Sequence, residues 1–154
     1  MITRTKDVYL FQYYDSTFSN WAATPYELDG VEFLTSEHGL MYEKAMLFDK
    51  SVIPAILAAQ HPRDVKVLGR MIQNFDSQVW DEQRVDLFIP HLIAKFEQNK
   101  TALDEILSTE GLEIAEASPS DTIWGIGVAA DDVRAVNKET WNGYNLLGEA
   151  IMCL

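Results

Sequence analysis

The sequence holds one cysteine, Cys153, so no disulfide can form within it. No other metal-ligating residue type stands beside it, and it reads as a small apolar residue. A lone thiol fits a cytoplasmic setting. Basic residues are also scarce. Twelve Lys and Arg face 24 Asp and Glu, a formal net charge of −12. That excludes stable, broad binding along a nucleic-acid backbone, which needs clustered cations. It still allows a local basic pocket for one phosphate. The histidines, 38, 61 and 91, match no HExxH or comparable spacing, so no metal is expected. No apolar run approaches the roughly 20 residues that span a bilayer, so no membrane contact is expected. The opening MITRTKDVYLFQYY has no long apolar stretch with a small-residue cleavage site and does not read as a signal peptide. GxGxxG, P-loop and GxSxG patterns are absent, which removes the dinucleotide fold and the nucleophile elbow.

What is present suits one domain with a sizeable core: 154 residues, 47% hydrophobic and 23% charged, with no repeat, linker or low-complexity tract. VYLF at 8–11 is β-prone, and YYDSTFSNW at 13–21 reads as strand end and loop. Two short alternating runs around Asp29-Gly30 predict a hairpin. Helices are expected over 36–48 with Ser36 as N-cap, over 52–59, over 63–73 and over 77–98 with Pro90 kinking or dividing it, and over 101–108. A strand is expected over 111–118 and a C-terminal helix from about Gly143. The class is α+β: a mostly helical single domain, 1–154, with a small β-sheet.

Several groupings point to chemistry. Glu37, Met41 and Lys44 share one helical face, a carboxylate and an ammonium beside an apolar stripe. They read either as a surface pair or as an acid or base with Lys44 tuning it or holding a phosphate. Lys66 and Arg70 project together, with Gly69 permitting a close approach; they form an anion site or a solvated basic face. Trp80 and Arg84, one turn apart, would make a cation–π pair or stack a base and hold a phosphate. In SPSDTIWGIG (118–127), Asp121 sits in a turn context where it can cap amides, Trp124 follows, and Gly125 and Gly127 free the backbone. Glu116 lies just upstream.

Taken together, FSNW (18–21), SEHGLMYEKAMLF (36–48), KVLGRMIQNFD (66–76), Trp80 with Arg84, KFEQN (95–99), EASPSDTIWGIG (116–127) and Asn145, Gly148 and Met152 resemble the YbiA-like, or NADAR, family, in order along nearly the whole chain. The resemblance implies a mostly helical α+β fold and an N-glycosidase. Its substrate would be either an early phosphorylated riboflavin-pathway intermediate or ADP-ribose attached to a guanine base. A non-catalytic ADP-ribose or NAD binder is the reading from another class. Gly39 stands where many relatives carry a bulkier residue, which implies a larger pocket or a looser helix.

By position, the resemblance makes Glu37, Asp121 and Lys44 the catalytic set. Cleavage of an N-ribosidic bond develops oxocarbenium character, which a carboxylate stabilises while activating water. Glu37 or Asp121 takes that part, and the other holds sugar hydroxyls or assists the leaving nitrogen. Trp124 and Trp80 would stack the base. Lys44, Lys66, Arg70 and Arg84 would hold phosphate, and Asn20 a ribose hydroxyl, with Trp21 and Gly125 also lining the substrate. No cofactor or metal is called for. The partner is a small phosphorylated ribosyl molecule or an ADP-ribosylated base.

Overall fold

The computed structural model describes residues 2–12 and 14–154. The loop expected over 13–21 therefore has Tyr13 outside the described residues. The chain divides into two compact units: Met1–Ser19 with Leu103–Leu154, and Asn20–Ala102, which interrupts the first in sequence.

The first unit is organised by a three-stranded sheet, order β1-β2-β5. β1 (Thr3–Arg4) runs antiparallel to β2 (Val8–Phe11), and β2 runs parallel to β5 (Glu113–Glu116) with Val8 opposite Glu113 and Phe11 opposite Glu116. All four residues of β2 are buried, as expected for a central strand covered on both faces. Val8, Leu10, Ala115, Ala117, Ile126 and Val128 form its core. From α5 (Lys100–Ser108), Glu105 accepts hydrogen bonds from Tyr9 Oη (2.7 Å), Ser16 Oγ (2.5 Å) and Thr17 N and Oγ1 (2.9 and 2.6 Å). Burial and this carboxylate push the Tyr9 phenol well above its ordinary range.

The C-terminal helix α6 is Leu146–Met152 and starts later than the expected Gly143. The reason is Asn145, held left-handed at φ 53°. Its Nδ2 donates to Ile114 O (2.9 Å) and its Oδ1 accepts from Glu116 N–H (3.3 Å), so the turn before the helix is occupied in fastening β5. Gly148 lies so close to Ile114 O that a β-carbon would overlap it, and Met152 Sδ accepts from Ile114 N–H at 3.4 Å. The Asn145, Gly148, Met152 pattern is thus a clamp on β5 that holds Ile114 by both N–H and C=O and Glu116 by its N–H.

The second unit begins with the hairpin β3 (Tyr26–Leu28) and β4 (Val31–Phe33). Asp29 and Gly30 both take positive φ, 52° and 82°, which matches the right-handed strand twist in a two-residue turn. Four helices follow: α1 (Ser36–Phe48), α2 (Ile53–Ala58) after a short 3-10 turn, α3 (Pro62–Arg70) and α4 (Ser77–Gln98). α3 ends before the expected residue 73, because Gln73 N–H turns to Asp49 Oδ2 (3.1 Å) and Asn74 is left-handed at φ 61°. Pro90 does not divide α4, which continues past it while Phe88, His91 and Leu92 stay buried. Ala45, Ile56, Val65 and Ile72 form one core of this unit; Tyr26, Phe33 and Ala94 form another.

Candidate active site

The expected N-cap of α1 was Ser36; the cap is Thr35. Thr35 Oγ1 accepts from His38 N–H at 3.3 Å and lies 2.7 Å from His38 Nδ1. His38 Nε2 lies 2.8 Å from Ala59 O, a pure acceptor, so Nε2 carries the proton and Nδ1 accepts from the threonine hydroxyl. Burial holds the His38 pKa below its ordinary value, consistent with a neutral ring. With the cap supplied by Thr35, Ser36 is free for a different role. Its hydroxyl donates to Asn20 Oδ1 (2.9 Å) and accepts from Lys95 Nζ (3.2 Å).

Glu37 follows in the first turn, where the helix dipole favours a carboxylate. It is 9% exposed, and its N–H donates to Asn20 O at 3.0 Å. Asn20 therefore touches the α1 terminus twice, through Ser36 by its side chain and through Glu37 by its backbone. Lys95 is 0% exposed. It opens the KFEQN segment, and nothing in that pattern alone assigns it a role. The available signal was a lysine among the apolar positions of α4, between Ala94 and Phe96.

Two turns along α1, Lys44 donates to Gly69 O at 3.0 Å and lies over the Phe75 ring, 4.6 Å from its centre. Phe48 holds Phe75 edge-on at 5.3 Å. Burial lowers the Lys44 pKa, and the negative charge of Glu37 works in the opposite direction. The carboxylate and the ammonium are therefore coupled electrostatically. The approach that Gly69 permits is to Met41, the residue between Glu37 and Lys44 on that face; a β-carbon at Gly69 would overlap Met41 Sδ.

The other expected site residues distribute as follows. Lys66 and Arg70 are exposed on α3. Trp21 is half-buried and packs edge-on against His61 at 5.9 Å. Trp80 is 6% exposed, and Arg84 Nη1 donates to Asp81 Oδ1 at 2.9 Å. Asp121, Trp124 and Gly125 belong to the first unit. There Asp121 Oδ1 accepts from Ile123 N–H and Trp124 N–H, both at 2.9 Å, and Trp124 is half-buried. A β-carbon at Gly125 would press on Asp121 O (2.9 Å) and Glu116 O (3.0 Å), so this glycine serves the loop's own closure. Gly39 does not open space. A β-carbon there would overlap Tyr26 Oη and His91 Nδ1, so the room a larger residue would take is already filled.

One family description, the NADAR domain, matches residues 3–154. The chain belongs to the NADAR domain family. Among similar proteins, the N-glycosidase R617 of Acanthamoeba polyphaga mimivirus is 36% identical over 141 residues, 88% of this chain and 83% of that protein. Protein irg-1 of Caenorhabditis elegans is 33% identical over 165 residues, 96% of this chain and 78% of that one. The NMR structure of the E. coli protein YbiA superposes with a TM-score of 0.74 at 26% identity, covering 97% of this chain and 83% of that one. The α+β class expected from sequence is the class of this NADAR fold.

Among the described residues, no group of three His, Cys, Asp or Glu comes together to hold a metal, and no helix is long and apolar enough to cross a membrane.

Proposed function

We propose that this chain hydrolyses the N-ribosidic bond of a small phosphorylated ribosyl substrate, of the kind represented by phosphoribosylaminopyrimidines. The coarser statement, a hydrolase acting on N-glycosyl bonds, follows from NADAR membership and from relatives named N-glycosidase.

The observation that carries it is the placement, two turns apart on α1, of a nearly buried Glu37 and a half-buried Lys44 whose charged form the carboxylate favours. Heterolysis of the C1–N bond leaves positive charge on the ribose. A carboxylate held at a helix N-terminus, in a site of reduced water access, stabilises that charge more strongly than one in bulk water. As general base, Glu37 takes one proton from the water that attacks C1; the leaving nitrogen departs with the bonding pair and takes a proton from solvent, to which Glu37 then returns its own. Asn20, at the same terminus, suits a ribose hydroxyl. Lys44 supplies a cation to an anionic substrate group, and exposed Lys66 and Arg70 extend that positive character along α3.

The same exposed cations favour a second reading, in which the substrate is ADP-ribose attached to guanine in a short nucleic-acid strand. A net charge of −12 weighs toward the smaller, free substrate. Incubation with both substrate types, followed by mass spectrometry for free base and ribose phosphate or ADP-ribose, separates the two. Glu37→Gln serves as control. Tight binding of ADP-ribose by calorimetry with no turnover of any ribosyl substrate would overturn both and leave a binding module.

A further inference from the structure

The buried ammonium of Lys95 determines the direction of a hydrogen-bond chain. Lys95 Nζ lies 3.2 Å from Ser36 Oγ, and Ser36 Oγ lies 2.9 Å from Asn20 Oδ1. An ammonium only donates, so the serine oxygen is the acceptor in the first bond. The serine has one proton, and it goes to the asparagine. The Asn20 amide is then fixed with its oxygen toward Ser36 and its Nδ2 hydrogens turned away. Asn20 is buried, and its backbone oxygen is bound to Glu37 N–H at 3.0 Å, so the amide sits at the same helix terminus as Glu37.

We infer that Lys95 is a positioning residue: by occupying a lone pair of Ser36 Oγ it biases that hydroxyl to donate to Asn20 Oδ1, and so presents the Asn20 amide N–H group to an oxygen of the substrate ribose beside Glu37. The inference rests on the ribosyl-hydrolase reading for the identity of that oxygen. Without the cation, a serine hydroxyl either donates or accepts, and an amide bonds it equally well in two orientations. A purely structural requirement is often met as well by a packed apolar residue of similar volume, because burying an ammonium costs several kcal/mol. Asn99 Nδ2 donates to both Lys95 O and Pro25 O (2.9 Å each), which anchors the α4 end on which the lysine stands.

The test is a double-mutant cycle. Lys95→Met keeps length and removes the charge. It is expected to lower kcat/KM for the ribosyl substrate about tenfold, the ratio one hydrogen bond supports, with the fold retained by circular dichroism. In an Asn20→Ala background the same substitution should change kcat/KM less than about twofold, because the group it positions is gone. Equal losses in both backgrounds would overturn the inference. If Lys95→Met does not fold, Ser36→Ala cuts the same chain and takes its place in the cycle. Wild-type protein inactive on every ribosyl substrate would fail the reaction reading alone. The positioning is then read from the Asn20 side-chain amide resonances by NMR: they shift or broaden in Lys95→Met if the lysine orients the amide, and unchanged resonances would overturn it.

Discussion

Gly39 in α1 stands against the Tyr26 hydroxyl and His91 Nδ1, themselves hydrogen-bonded at 2.9 Å, so tightly that a β-carbon would overlap both. His91 Nε2 in turn faces Glu43 Oε2 at 3.5 Å, and Phe33 packs edge-on against the imidazole. The helix that carries Glu37 and Lys44 is thus seated on hairpin and α4 groups through the one position without a side chain. Burial, reinforced by Glu43, pushes the Tyr26 phenol far above its ordinary pKa, so it stays a neutral donor.

Gly39→Ala should therefore cost about 1–3 kcal/mol, the range for overpacking a filled interior. Chemical denaturation checks it. An unchanged midpoint would mean that Tyr26 and His91 move aside without loss. Activity per folded molecule should fall as well, because α1 shifts with Glu37 on it.

Glu37→Gln removes the proposed base while keeping size and polarity. Turnover should drop by about 100-fold or more, in line with general-base catalysis, while thermal unfolding stays cooperative. Wild-type turnover by this variant would remove Glu37 from the chemistry.

Asp121 is separated from a local structural role by comparing two substitutions. Its Oδ1 caps the Ile123 and Trp124 amides. Asp121→Asn retains that acceptor and loses only the charge, whereas Asp121→Ala loses both. If the carboxylate takes part in the reaction, Asp121→Asn alone should lower kcat by orders of magnitude at unchanged stability. If it only caps, Asp121→Asn should be near wild type and Asp121→Ala should lose about 1 kcal/mol of stability.

The Lys44 ammonium should answer to Glu37. Its folded pKa lies below its unfolded one because of burial. The unfolded chain therefore takes up this proton first as pH falls. The resulting penalty on folding is full below the folded pKa and is relieved as pH rises through it to the unfolded value. Glu37→Gln removes the charge that opposes the shift, so the Lys44 pKa should fall further. Amine-reactive labelling against pH, read by peptide mass spectrometry, should show the labelling midpoint of Lys44 moving to lower pH. No movement would mean the two groups are uncoupled.

Lys66→Ala and Arg70→Ala test the phosphate assignment. If these exposed cations bind the substrate anion equally in ground and transition states, KM should rise several-fold at constant kcat. The increase should shrink as salt is added, since exposed charges are screened. An unchanged KM for both would leave α3 out of substrate binding.

Much of this was legible in the residues. The Asp29-Gly30 turn, the span of α1 and the α+β class rest on local rules: positive-φ preference, helical periodicity and caps within a few residues. Glu37 and Lys44 were legible as neighbours because seven positions of an α-helix are nearly two full turns. By itself, the sequence determined these elements and which side chains share a helical face. Only the tertiary structure decided what those faces meet. Ser36 yields the cap to Thr35 because Asn20 and Lys95 arrive from residues 16 behind and 59 ahead. α6 starts late because Asn145 is engaged with Ile114, 31 residues upstream. Gly39 turned from a missing side chain into a close contact because Tyr26 and His91 fill its place. Hydrogen-bond partners so distant in sequence are chosen by burial, which makes an unpaired enclosed polar group costly, and no local pattern encodes that choice.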